Sequence, residues 1–302
     1  MKLSFDSDNP LILDGGMGQA LIEKGLQTIG TIWSATALLD QSLHKLVIET
    51  HHDFINAGAK VIVTNNFAVR KLRFSENHIL GKFEKAMHTA GKLAKHARDT
   101  CFNKSEIIIA GSLPTRHQTY LSKFETSADD TYQELYESAN ILKDYVDIFY
   151  LDVMSSISEI RIALEACSSF NKKVLIGAHV NKDGLIPDGN KITQLNDIIT
   201  KYDVLGVIAA CSEQQSIFKS LDSLKELYVP FGFKVNAWAH MPKGWLPIPG
   251  NPTNSFGKDK DFNNERFVNF SKECTYKGAS ILGGCCQVTP DHIKALVKEY
   301  KN

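Results

Sequence analysis

The feature that most constrains this chain is a recurring one. Eight short apolar runs, rich in β-branched residues, are separated for the most part by helical patterns. They occupy residues 11–14, 60–67, 106–111, 147–152, 173–180, 203–211, 231–236 and 279–282. Each reads as a strand buried on both faces, as in a parallel sheet covered by helices. Apolar residues at i, i+3 and i+4 predict helices over residues 43–56, 82–98, 132–145, 157–167, 217–227, 262–276 and 293–300. Residues 192–202 carry the weakest helical pattern. Eight alternating units over 302 residues predict an α/β fold, a (β/α)8 TIM barrel forming one domain over residues 1–302. An open, doubly wound sheet is the alternative.

A barrel of this kind opens all its strand C-termini onto one face, where chemistry is done. Two connections, residues 112–130 and 237–261, are unusually long, and both follow strands. The second carries Pro242, Pro247, Pro249 and Pro252, and is expected on that face, able to fold over a substrate. Lys plus Arg equals Asp plus Glu at 34 each, so no basic excess calls for nucleic acid or a membrane surface. No apolar stretch has signal-peptide or membrane-spanning length, which predicts a cytoplasmic location. Six cysteines there are expected to be reduced and available to a metal. The oligomeric state is left open.

Polar residues stand at the predicted strand ends. They are Asp14 with Gly15 and Gly16, Asn65, Asp152, His179, Cys211, Asn236, and Cys285 with Cys286. The last two follow Gly283 and Gly284, and precede Thr289, placed to cap a helix opened by Pro290. Adjacent cysteines in a strand point to opposite faces, and only a sharp glycine-assisted turn aims both thiols at one point. A lone Cys211 is more often a small buried hydrophobe. Its matching strand-end position makes it the third thiol of one rim. Three thiolates leave a tetrahedral zinc one ligand short, the mark of a catalytic site. Asp14 and Asp152 are candidates to face a substrate ammonium, with a helix cap or loop hydrogen bond as the bland reading. Gly15 and Gly16 let the backbone approach a ligand. Trp33, Phe67 and Trp238 are candidates to stack on a cationic donor, or to be core. Cys101, Cys167 and Cys274 fall in helical stretches and read as structural. A Schiff-base lysine finds no support, since Lys234 falls mid-strand. There is no His-Glu-x-x-His motif and no P-loop.

These motifs together resemble the homocysteine S-methyltransferase family over nearly the full length. Leu13-Asp-Gly-Gly-Met-Gly18 is similar to the family's opening signature, and Ile32-Trp-Ser-Ala35 to a segment of many members. Asn56-Ala-Gly-Ala59 and Thr64-Asn-Asn-Phe67 resemble its second βα unit. Gly283-Gly-Cys-Cys286 with Thr289-Pro290 matches its most specific motif. The resemblance implies a TIM barrel with Zn2+ held by Cys211, Cys285 and Cys286. It implies methyl transfer from a sulfonium, S-methylmethionine or S-adenosylmethionine, to the thiolate of homocysteine, giving methionine. The partners implied are a small-molecule thiol and a methyl donor. The alternatives are betaine or dimethylsulfoniopropionate as donor, another thiol or selenol as acceptor, or a zinc- and thiol-binding regulatory barrel without turnover.

The chain also departs from the family pattern. Asp152 stands where a glutamate is usual, and Ala210 where an asparagine precedes the first zinc cysteine. The third strand end keeps Pro114 without the usual Gly-Pro pair, and the fifth reads Gly177-Ala-His179 where Ser or Thr with Phe is usual. Ala68 and Val153 fall where betaine-dependent members carry tyrosines, which argues against betaine. The departures leave the three cysteines untouched and gather on the substrate side.

Overall fold

A computed structural model describes residues 4–116, 119–121, 127–241 and 249–301. Its centre is eight parallel strands: β1 (Leu11–Ile12), β2 (Val61–Val63), β3 (Ile108–Pro114), β4 (Ile148–Met154), β5 (Val174–Ala178), β6 (Val204–Ser212), β7 (Phe231–Val235) and β8 (Ile281–Gly284). From β2 to β8 each strand pairs with the next, and β8 pairs with β1. The seam between β1 and β2 is drawn together by a bridge from Leu13 to Val61. Beside it, the Lys60 N–H donates to the Ile12 carbonyl (2.8 Å) and the Asp14 N–H to the Val61 carbonyl (2.9 Å). The sheet thus curls into a nearly closed barrel ringed by helices, as the alternating pattern predicts.

Alternation along each strand sorts the side chains. Phe231, Phe233 and Val235 of β7 join the apolar layer between barrel and helices, with Phe149 and Leu151 of β4. The other set, including Leu13, Val61, Ile108, Tyr150, Leu175 and Ile208, fills the lumen. Tyr150 fits there because β5 offers Gly177, where a Cβ would lie 2.6 Å from the Tyr150 hydroxyl.

The helix Ile157–Cys167 begins and ends where its apolar spacing predicts. Other elements differ. The helix Met17–Glu23 follows β1 directly, where Gly-Gly-Met-Gly reads as a turn. Lys71–Glu76 forms a helix that the pattern did not mark. The weak stretch 192–202 is a 3-10 turn, Ile192–Leu195, and one α-helical turn, Asn196–Ile199. β3 runs past Gly111 to Pro114, which pairs with Asp152 at the strand's end, where a missing N–H costs least.

Both long connections lie partly outside the described residues, including Pro242 and Pro247 of the second. The described ends of the second are tied together. Ala239 N–H donates to the Gly257 carbonyl (3.3 Å) and His240 N–H to the Phe256 carbonyl (3.1 Å). Among the described residues, no helix is long and apolar enough to cross a membrane.

Candidate metal and substrate site

The strand C-termini surround a cavity with about 620 Å³ of empty space, counting its open mouth. Cys211, Cys285 and Cys286 all line it, and their sulfurs lie within 4.8 Å of one another. Cys286 Sγ is 3.7 Å from Cys211 Sγ and 3.9 Å from Cys285 Sγ. Two local devices aim these thiols. Cys211 sits in the left-handed region, φ +48°, where β6 shifts register against β7 between Ala210 and Ser212. A non-glycine residue held there turns its side chain out of the strand's alternation, a strained placement typical of sites. Beyond β8, Cys285 N–H donates to the Val235 carbonyl (2.7 Å), and the Cys286 carbonyl accepts from Ala237 N–H (3.0 Å). The pair is therefore pinned to β7 while turning away from its own strand.

The carbonyl of Cys211 is held in turn. His179 Nδ1 (3.1 Å) and Asn236 Nδ2 (2.8 Å) both lie on it. Burial pushes the His179 ring down to about 4, so it is neutral, and Nδ1–H donates to the carbonyl. His179 and Asn236 do not line the cavity, and neither does Trp238. Both residues, expected as substrate contacts, stand behind the Cys211 turn and hold its carbonyl. Trp238 packs edge-on against Phe256, ring centroids 5.5 Å apart. Of the three candidate rings, Trp33 and Phe67 line the cavity, edge to face at 6.4 Å.

Three buried thiols cannot all shed protons beside one another without a cation. Hydrogen bonds from the neighbouring thiols lower Cys211 well below the ordinary range. Cys286 rises well above it, through its hydrogen bonds to Cys211 and Cys285 and through burial. A soft divalent cation is what allows all three to ionise, and the donor set suits one.

Asp14 was expected to face an ammonium. Its carboxylate is already engaged, Oδ1 by Lys234 Nζ at 2.6 Å and Oδ2 by the Val63 N–H at 2.7 Å. Burial opposes the charge on Lys234, yet Asp14, Cys285 and Asp152 hold it above the ordinary lysine range, so it is a cation. Gly15, Gly16 and Asn65 line the cavity, and Asn65 Nδ2 donates to the Ser34 carbonyl (3.1 Å). Asp152 lines it too, accepting from Ser112 Oγ (2.7 Å). Burial, reinforced by Cys285, pushes the Asp152 carboxyl up to about 7.

That shift has a stability consequence. The folded protein holds the Asp152 proton at pH values where the unfolded chain has lost it, so the contribution of Asp152 to stability falls as pH rises toward 7. Between pH 5.5 and 7 the loss is on the order of 2 kcal/mol, at about 1.4 kcal/mol per pH unit. In urea unfolding at the two pH values, Asp152→Asn should raise stability at pH 7 relative to pH 5.5 by about that amount compared with wild type; an unchanged difference would count against a buried, protonated Asp152.

Sequence reasoning missed four cavity or near-cavity groups. Lys234 was set aside as mid-strand. Ser112, on β3, was not considered as a partner for Asp152. Tyr120, in the long connection after β3, places its hydroxyl 3.1 Å from Cys211 Sγ. Burial and the adjacent thiols push its phenol well up, so it stays protonated and donates to the sulfur. Gln19 lines the cavity, and both its amide atoms are buried without a hydrogen-bond partner among the described residues. Of these, only Lys234 had a usable signal. Phe231, Phe233 and Val235 claim the helix-facing side of β7, which leaves Lys234 to the lumen.

The sequence profile described as homocysteine S-methyltransferase matches residues 11–300. Homocysteine S-methyltransferase 2 of Saccharomyces cerevisiae is 25% identical, over 98% of this chain and 97% of its own length. The selenocysteine methyltransferase of Astragalus bisulcatus is 24% identical, over 95% and 91%. In fold, the chain is similar to the metallated form of the homocysteine methyltransferase MmuM of Escherichia coli. The TM-score is 0.80 at 19% identity, covering 96% of each chain. With nearly the whole chain matched, the protein belongs to the homocysteine S-methyltransferase family.

Proposed function

We propose that this protein is a zinc-dependent S-methyltransferase. It moves a methyl group from a small sulfonium donor to the thiolate of homocysteine and gives methionine. The reading is of one barrel over residues 1–302, acting in the cytoplasm on small molecules. The observation that carries it is the convergence of three cysteine sulfurs from two strands within 4.8 Å at one cavity.

Cys211, Cys285 and Cys286 would hold the zinc. When bound, zinc supplies Lewis acidity that makes a thiol a thiolate at neutral pH. The other contributions come from the chain. Tyr120 O–H donates to Cys211 Sγ and positions that thiol. Trp33 and Phe67 offer aromatic edges and faces where a sulfonium can rest with its charge partly desolvated. Gly15 and Gly16 bring backbone close to the acceptor. The sulfonium leaves as a neutral thioether, so no general acid is needed, and alignment of the two sulfurs about the methyl carbon contributes much of the acceleration.

Purified protein supplied with homocysteine and S-methylmethionine or S-adenosylmethionine should produce methionine, and should lose that activity on chelation and regain it with zinc. Protein that binds no zinc under reducing conditions, or makes no methionine with either donor, would overturn the reading.

A further inference from the structure

We infer that the cavity anchors its thiol acceptor through a carboxylate held by Lys234, not through an ammonium held by Asp14. An ω-mercapto carboxylic acid lacking an amino group is then a substrate of the same standing as an amino-acid thiol. The inference rests on the methyltransferase reading and narrows its acceptor.

The charges lining the cavity lead to it. Asp14 is 1% exposed, and both its oxygens are engaged within the protein. Among the described residues Asp152 remains as the other cavity carboxylate, and one of its oxygens takes Ser112 Oγ–H. An incoming ammonium would find Asp152 as the one carboxylate not already paired among the described cavity residues, with the Lys234 cation facing the same cavity. A carboxylate meets the opposite situation. Lys234 Nζ is 6% exposed in its side chain, lines the cavity, and has three N–H donors, of which Asp14 takes one. Its ammonium is further steadied over the Tyr150 ring, 5.7 Å from the centroid. Gln19 adds a buried amide whose N–H and carbonyl find no protein partner among the described residues. It supplies a neutral donor for a carboxylate oxygen and costs free energy while unpaired.

The reaction is unchanged in its balance. The acceptor thiol gives its proton to solvent, and its sulfur bonds the methyl carbon. The carbon–sulfur bond of a methyl sulfonium breaks, and its electron pair leaves with a neutral thioether.

The test uses the full chain loaded with zinc and three thiols of matched length. These are homocysteine, 4-mercaptobutanoate (carboxylate only) and 3-mercaptopropylamine (ammonium only). By calorimetry, 4-mercaptobutanoate should bind within about threefold of homocysteine, and 3-mercaptopropylamine at least about 30-fold more weakly. Methyl transfer from S-methylmethionine should follow the same order. The reverse order would overturn the inference. The double variant Asp14→Asn, Lys234→Met removes both charges, so neither is left buried alone. It should weaken 4-mercaptobutanoate at least about tenfold. Unchanged affinity in that variant would also overturn it. If all three thiols bind as expected but none is methylated by either sulfonium, the methyltransferase reading fails while the carboxylate anchor stands.

Discussion

Replacing Cys286 with serine should strip the protein of its metal and reduce methyl transfer at least about 10³-fold, with the fold intact. Cys286 lies close to both others, 3.7 Å from Cys211 and 3.9 Å from Cys285. Serine keeps the volume but offers a hydroxyl that does not ionise near neutral pH, leaving two thiolates where three are needed. The backbone bonds that place the residue, including Ala237 N–H to the Cys286 carbonyl, do not involve the sulfur. The far-ultraviolet circular dichroism should therefore match wild type. Cys167→Ser is the control. That thiol is also buried, and burial pushes its pKa up, but it belongs to the helix Ile157–Cys167 and lies outside the cluster. Its loss should cost about 1–2 kcal/mol of stability and leave metal content and activity alone. Metal analysis after dialysis decides the matter. One zinc retained by Cys286→Ser would mean that the trio does not hold it.

The barrel was legible because every strand but one is buried along its whole length, so each appears as a continuous apolar run between helical patterns. The thiols were legible because Gly-Gly-Cys-Cys has few structural uses other than a turn that converges them. What stayed hidden was whatever depends on contacts between distant strands. The partner of Asp14 is 220 residues away, and nothing local to Asp14 distinguishes a carboxylate awaiting substrate from one already paired. Left-handed backbone at Val153 (φ +63°) and Cys211 (φ +48°) is imposed by register shifts in β4 and β6. A β-branched residue gives no warning of such a conformation. Tyr120 sits in a connection whose length marked it as lying on the chemical face, but no periodicity encodes that this one side chain reaches the cavity. Helix Met17–Glu23 was hidden by the glycine it contains and those before it; Gly18, a poor helix former, is overridden here by its packing against the Trp33 ring.

Gly232→Ala should be the most destabilising single change in the β7–β8 pair, by at least about 3 kcal/mol. Gly232 faces Ile281 in the β7–β8 ladder, and a Cβ there would overlap the Ile281 backbone carbonyl oxygen. A side chain could swing aside; a carbonyl within a ladder cannot, so the strands must part or shift register. For a chain of this size that corresponds to a midpoint lower by roughly 5 °C or more in thermal unfolding. The effect should also reach the thiols, because the hydrogen bonds placing Cys285 and Cys286 arise further along the same pair of strands, at Val235 and Ala237. A separated seam carries those two sulfurs away from Cys211, so zinc affinity should fall along with stability. Gly81→Ala provides the comparison, since a Cβ there meets nothing within 4 Å and its backbone is not left-handed; it should stay within about 0.5 kcal/mol of wild type. If Gly232→Ala unfolded at the wild-type temperature with its zinc in place, β7 and β8 could not lie as close as the ladder has them, and the convergence of the three sulfurs would need another scaffold.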